Sequence, residues 1–183
     1  MNTAHALVSI LVGYLVGSLS ATRIVRRLLA PQVDLGKTTF GLSGVQETVE
    51  SDMVSATALS MRAGPRAGCA SAWGDMLKVA VPTLVIRRLY PDAPYYLLTA
   101  AAAVIGHIWP IYFRFKGGRG LSAVYGAMFA IDWIGVFATA FLGLAFGLVV
   151  TRDVLVSYLA GFWFMIPWLW FRTHSVPQSG SQG

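Results

Sequence analysis

The string Gly106-His-Ile-Trp-Pro-Ile-Tyr-Phe-Arg-Phe-Lys-Gly-Gly-Arg-Gly120 holds the residue types that a phosphate group needs. Glycines at 117, 118 and 120 let the backbone approach an anion and present unshielded N–H groups, while Lys116 and Arg119 bring positive charge beside the helix that follows. The spacing is not that of a Walker loop, which requires Gly, four residues, Gly-Lys and then Ser or Thr. Residue types alone also fit an ordinary basic turn between membrane helices, because such turns are basic anyway. His107, at the start of the string, is a candidate general base. The same placement suits a histidine that hydrogen-bonds a neighbour at a helix end.

Other polar residues stand out against an apolar background. Asp75 and Lys78 interrupt a hydrophobic block at spacing i, i+3, which puts them on one helix face as a structural pair that neutralises itself or shapes a site. The segment Ser51-Asp-Met-Val-Ser-Ala-Thr-Ala-Leu-Ser-Met-Arg62 supplies hydroxyls and a guanidinium that could hold phosphate oxygens, with Ser51, Thr57 and Arg62 as the candidates and Arg66 close by. The aromatic run Phe162-Trp-Phe-Met-Ile-Pro-Trp-Leu-Trp-Phe171 reads as an interfacial belt. The lone Cys69 cannot close an internal disulfide, and no spacing suggests a metal or haem site. The expectation is therefore no metal and no cofactor, and nothing here invites nucleic acid.

These residues must be positioned by elements that cross a bilayer. Of 183 residues 56% are hydrophobic and 12% charged, with mean hydropathy +0.62, whereas soluble domains carry about a quarter charged residues. The apolar residues fall in blocks, as spans of about 20 residues require. The blocks are Ala4 to Ala21, Ala67 to Ile86, Tyr95 to Phe113, a stretch from Gly120 to Val150 with Asp132 as its single charge, and Val154 to Phe171. The stretch from Gly120 is too long for one crossing, and a break at Asp132-Trp133 divides it. The fold class expected is all-α: a polytopic membrane helix bundle of about six transmembrane helices. One membrane domain is expected over residues 1–174, with a cytoplasmic loop at about 31–66, and residues 175–183 form a flexible tail.

Arg23, Arg26 and Arg27 follow the first block instead of preceding it, the reverse of a cleavable signal, so the N-terminus is expected outside. One side then collects Arg23, Arg26, Arg27, Lys37, Arg62, Arg66, Arg114, Lys116, Arg119 and Arg152, against Arg87, Arg88 and Arg172 on the other. That bias places the basic string on the cytoplasmic side.

Taken together, four strings resemble the bacterial integral-membrane glycerol-3-phosphate acyltransferases that use acyl phosphate as donor, the PlsY type. Gly17-Ser-Leu-Ser20 is similar to that family's Gly-Ser-Ile-Pro, and Gly74-Asp-Met-Leu-Lys78 to its Gly-Asp-x-x-Lys. Gly106-His-Ile-Trp-Pro110 running into Phe115-Lys-Gly-Gly-Arg-Gly120 is similar to its Gly-His-x-x-Pro and Phe-Lys-Gly-Gly-Lys-Gly; Thr151-Arg152 and Ser157 resemble its late Arg and Ser motif. The likeness covers about residues 13 to 160. It implies that the 1-hydroxyl of sn-glycerol 3-phosphate attacks a long-chain acyl phosphate at a site facing the cytoplasm of a bacterial inner membrane, giving lysophosphatidic acid and inorganic phosphate. It also implies that Lys116, with Gly117, Gly118 and Arg119, binds phosphate, and that Ser51, Thr57 and Ser157 inherit phosphate-binding roles. The partners implied are membrane lipid and the two phosphate substrates; a protein partner is unspecified.

This chain departs from the pattern at Asp52, Met53 and Ala58, at Met61 where an Arg is expected, with Arg62 one place away, and at Leu155 where a Ser is expected. The expectation is a divergent member without the family's last span. The alternative is a homologue that binds lipid or phosphate as an assembly subunit without turnover.

Overall fold

A computed structural model of the chain describes residues 2–33, 38–42, 45–49, 56–152 and 154–175. Its elements are the helices α1 (Thr3–Gly17), α2 (Ala21–Leu29), α3 (Ala56–Ala63), α4 (Pro65–Leu89), α5 (Tyr95–Ile108), α6 (Leu121–Ile131), α7 (Trp133–Phe146) and α8 (Val154–Ser175), with a 3₁₀ turn at Ile111–Phe113 and a π turn at Gly147–Thr151. A hairpin of β1 (Thr38–Leu42) and β2 (Val45–Val49) lies in the loop after α2, Thr38 opposite Val49 and Leu42 opposite Val45. The protein is thus helical apart from this one hairpin among the described residues.

Four stretches among the described residues are long and apolar enough to cross a membrane: Thr3–Leu29, Pro65–Leu89, Tyr95–Phe113 and Trp133–Val150. Helix α6 is apolar but, at 11 residues, rises only about 16 Å, short of a ~30 Å hydrocarbon core. Large side chains face outward along these helices, among them Leu7 at 63% exposure and Phe141 at 72%. Such faces are costly in water and at ease against lipid. Many of the buried residues are small, alanines above all, and several are polar: Ser9, Ser18, Thr83, Thr99 and Thr139. Each hydroxyl donates to the carbonyl four residues earlier, at 2.7 to 3.2 Å, so a polar group is satisfied without leaving its own helix.

The chain divides into two compact units, Met1–Ala130 and Ile131–Gly183. In the first, α1 runs against α5 on a seam of glycines. A Cβ at Gly13 would sit 2.4 Å from the Thr99 carbonyl oxygen, one at Gly17 2.1 Å from that of Ala103, and one at Gly106 2.3 Å from that of Tyr14. Backbone therefore touches backbone, the contact by which helices associate in lipid, where no hydrophobic drive exists between them. Gly126 brings α6 onto α4 in the same way, a Cβ there falling 2.3 Å from the Met76 oxygen.

A turn interrupts the helix of the expected first span, although the apolar stretch continues to Leu29. Helix α1 stops at Gly17, and the chain turns through Ser18, Leu19 and Ser20 before α2 begins with Ser20 as N-cap, its hydroxyl accepting from the Arg23 N–H at 3.4 Å. Helix α3 packs on α4 around Leu59 and Ala67, which Val25 and Val33 cover from the α2 side. Pro65 starts α4 at a position where its missing N–H costs nothing, after Gly64 at φ 89°. Pro82 within α4 offers no N–H to the Lys78 carbonyl.

In the second unit α7 and α8 pair through Gly143 and Gly147. A Cβ at Gly143 would lie 2.3 Å from the Gly161 nitrogen. The break expected at Asp132-Trp133 is present: Asp132 is the N-cap of α7, accepting from the Gly135 N–H at 3.1 Å. The same carboxylate accepts from Trp168 Nε1 at 3.0 Å and from Arg172 at 2.9 and 3.3 Å, clamping the start of α7 to the end of α8. Burial raises the Asp132 pKa, but the hydrogen bonds from Arg172, Trp168 and Gly135 outweigh it and hold the group below its ordinary value.

Candidate active site

The first unit collects a buried polar cluster where α2, α4 and α5 meet. Asp75, 2% exposed, is its centre. Lys78 pairs with its Oδ1 at 2.9 Å, as the i, i+3 spacing predicts. His107 Nδ1 lies 3.5 Å from that same oxygen, and neither contact has the geometry of a directed hydrogen bond. The other oxygen, Oδ2, accepts from Thr22 Oγ1 at 3.3 Å, and Thr22 in turn shares a 2.5 Å hydrogen bond with Ser71. Lys78 also donates to the carbonyl of Leu19, inside the turn between α1 and α2. One ion pair thus ties three helices and a turn together.

The Gly106–Gly120 string stands on this cluster. Helix α5 ends at Ile108, Pro110 leads into the 3₁₀ turn, and Arg114 and Phe115 both take left-handed conformations, at φ 51° and 61°. Two consecutive non-glycine residues there are costly, at about 1 to 2 kcal/mol each, and such strain is held where a site needs a particular backbone path. The Phe115 N–H donates to the Pro110 carbonyl at 3.0 Å and the Lys116 N–H to that of Phe113 at 3.0 Å, so the chain doubles back toward α5. The Gly118 N–H then donates to the His107 carbonyl at 3.2 Å.

Both glycines are needed for that return. A Cβ at Gly117 would fall 2.2 Å from the His107 oxygen, and one at Gly118 2.4 Å from His107 Nε2. The sequence reading offers the Gly118 amide to a phosphate; the structure gives it to His107, because the string folds back onto the helix that precedes it. Lys116 and Arg119 remain exposed on the outer side of the loop. Gly120, at φ 86°, caps α6, and its carbonyl accepts the first helical bond, from Val124 at 2.8 Å. The open N-terminal turn of α6 therefore begins beside both cations, an arrangement that favours an anion.

The remaining candidates are less concentrated. Thr57 and Arg62 are exposed on α3, which packs at the N-terminal end of α4. Ser51 lies outside the described residues. Ser157, on α8 of the second unit, is 4% exposed and fits against Gly147, where a Cβ would come 1.9 Å from its Oγ. Residues that sequence reasoning passed over are Thr22 and Ser71, which complete the Asp75 shell; Arg23 entered it only as a topology charge. The one signal for Ser71 was its place four residues before Asp75 on the same helix face.

The family described as Glycerol-3-phosphate acyltransferase matches residues 7–179. The chain belongs to the glycerol-3-phosphate acyltransferase family. Among curated glycerol-3-phosphate acyltransferases, that of Rubrobacter xylanophilus is 33% identical over 163 residues, which cover 83% of this chain and 75% of the relative. That of Legionella pneumophila is 35% identical over 132 residues, 72% of this chain but 43% of the relative, so this match spans less than half of the Legionella protein. The crystal structure of PlsY (YgiH), an integral membrane glycerol 3-phosphate acyltransferase in its glycerol 3-phosphate form, superposes with TM-score 0.72 at 26% identity, covering 94% of this chain and 79% of that one. A second PlsY crystal structure, at 24% identity and TM-score 0.69, shares the fold. This acyltransferase is therefore a multi-pass helical membrane protein.

Proposed function

We propose that this acyltransferase moves a fatty acyl group from an acyl phosphate to the 1-hydroxyl of sn-glycerol 3-phosphate, forming lysophosphatidic acid. The hydroxyl oxygen bonds to the acyl carbonyl carbon, the bond from that carbon to the phosphate oxygen breaks, and the hydroxyl proton leaves on the departing phosphate. Because the leaving group takes the proton, the net reaction consumes no base. Phosphate leaves readily, so the protein's task is to hold two anionic head groups in line and to balance the charge that develops. The observation that carries this reading is the loop itself: two exposed cations and an open helix start, set on a backbone pinned to a buried ion pair.

In this reading Lys116 and Arg119 bind phosphate, Arg62 and Thr57 on α3 add a further cation and hydroxyl at the same end of the first unit, and Ser51 and Ser157 keep their phosphate-binding assignments. His107 acts through its carbonyl and ring, which seat Gly118; its Nδ1 faces Asp75 and its Nε2 faces the Gly118 backbone, so positioning suits it better than proton abstraction. We further infer about six membrane segments, α8 and the short α6 among them, with the N-terminus outside and the Lys116 loop facing the cytoplasm of a bacterial inner membrane; the excess of Lys and Arg on that side supports this. The test is phosphate release and lysophosphatidic acid formation by the purified chain in lipid, given palmitoyl phosphate and glycerol 3-phosphate. Lys116→Ala is expected to lower turnover at least a hundredfold, by the loss of a group that stabilises charge, with the fold unchanged by circular dichroism. Absence of product from folded wild-type protein would refute the proposal.

A further inference from the structure

Arg23 is counted by sequence reasoning only as one of the cations that orient the chain. In the structure it does something more specific. It lies in the first turn of α2, is half-buried, and reaches across to the loop that carries Lys116. Its Nη2 donates to the backbone carbonyl of Lys116 at 3.2 Å, and its guanidinium carbon stands 4.5 Å over the ring of Phe113. A planar, always-charged fork can stack on an aromatic face and donate from its edge at once, which an ammonium cannot.

We propose that Arg23 is a positioning residue that fixes the Lys116 peptide, and with it the Lys116 side chain, from the α2 side. The loop needs such a hold. Its path through Arg114 and Phe115 is strained, and on the α5 side it is tied by Phe115 to Pro110 and by Gly118 to His107. Between those two ties lies Lys116, whose own N–H bonds to Phe113 within the loop. Arg23 supplies a tie from another helix at that point, and the ring it stacks on belongs to the same turn. Its own place is set by Ser20, which caps α2, and by Lys78, which holds the Leu19 carbonyl in the turn before. The line of support therefore runs from the buried pair through the turn and Arg23 to Lys116.

The functional part of this inference rests on the proposed reaction; the structural part does not, and the experiment separates them. The full-length chain in lipid nanodiscs is treated with trypsin, and scission of the Lys116–Gly117 bond is timed by mass spectrometry against scission after Arg88. Arg23→Gln is expected to speed scission at Lys116–Gly117 about tenfold, since a charged hydrogen bond and a stacked cation are both lost. Phe113→Leu, which removes the stack and leaves the hydrogen bond, should give a smaller rise of about threefold. Arg27→Gln, an equal change of charge at an exposed position on the same helix, should leave the rate within about twofold of wild type because it touches neither tie.

In turnover, Arg23→Gln should raise KM for glycerol 3-phosphate about tenfold with kcat changed less, and Arg23→Lys should recover part of the loss. Unchanged scission in both Arg23→Gln and Phe113→Leu overturns the proposal, and so does an equal rise in Arg27→Gln. If Arg23→Gln does not fold, Phe113→Leu and Arg23→Lys decide alone. A folded wild type that makes no product refutes the acyltransferase reading, while the scission rates still decide the role of Arg23.

Discussion

Replacing Asp75 by Asn removes a charge and almost no volume, so what it costs is electrostatic. The Asn keeps an oxygen for Thr22, which now lies 3.3 Å from Oδ2, and opens no cavity. It leaves the Lys78 ammonium, whose side chain is 8% exposed, without the carboxylate that sits 2.9 Å away. Breaking a buried pair from one side costs about 3 to 5 kcal/mol, because the surviving charge stays buried and unbalanced. Lys78→Met leaves Asp75 with Thr22 and with the His107 ring 3.5 Å away, so a cost nearer 2 to 3 kcal/mol is expected (roughly, from the same penalty partly relieved). The double variant has no charge to strand. It should lose only about 1 to 2 kcal/mol, chiefly the Lys78 donation to Leu19. The coupling between the two sites is then about 5 kcal/mol, measurable by equilibrium unfolding in mixed micelles of rising SDS content followed by circular dichroism. Effects that simply add, within about 0.5 kcal/mol, would refute the claim that the pair is a buried, mutually dependent unit.

Gly17→Ala sets two effects against each other: alanine gains about 1 kcal/mol in helix propensity, but its Cβ would fall 2.1 Å from the Ala103 oxygen and 2.6 Å from its Cα. Those neighbours are backbone and cannot rotate aside, so a net loss of about 2 to 3 kcal/mol is expected in the same unfolding assay, and a gain would show that α1 and α5 do not meet on this seam. Because Asp132 is held below its ordinary pKa of 3.8, its clamp stabilises the second unit fully above that pH and is lost as pH falls through the lower, folded-state value. Thermal unfolding between pH 2 and 5 (about 1 unit either side of the range where carboxylates titrate) should therefore show a steeper acid loss in wild type than in Asp132→Asn.

Much of this was legible in the residues. Apolar blocks located α4, α5 and α8 to within a few positions, because long uncharged runs have little else to be. The i, i+3 spacing of Asp75 and Lys78 announced their pairing. The cluster around them was not legible, for physical reasons. Leu19 contributes a carbonyl, which every residue has. Thr22 and Ser71 carry hydroxyls that most membrane helices satisfy within themselves, as Thr83 and Thr99 do here. Arg172 finds Asp132 across 40 positions of sequence, a pairing that no local pattern encodes. The glycines are instructive: Gly117 and Gly118 signalled a close approach, and in the structure what lies against both is His107. A missing Cβ says that something must come near and is silent about what.

The self-pairing of α4 also bears on how the chain is made. A lone charge at the centre of a helix entering the bilayer is penalised by about 2.5 to 3.5 kcal/mol, so a helix with two such residues would be held back at the translocon. Asp75 and Lys78 sit one turn apart on one helix, and α4 therefore brings its own counter-charge with it. It can partition as a nearly neutral segment while α5, with His107, is still being synthesised. The order of the chain also places the Leu19 carbonyl and Thr22 ahead of α4, ready to receive it. Moving either charge to another helix should therefore burden insertion before it touches the folded state.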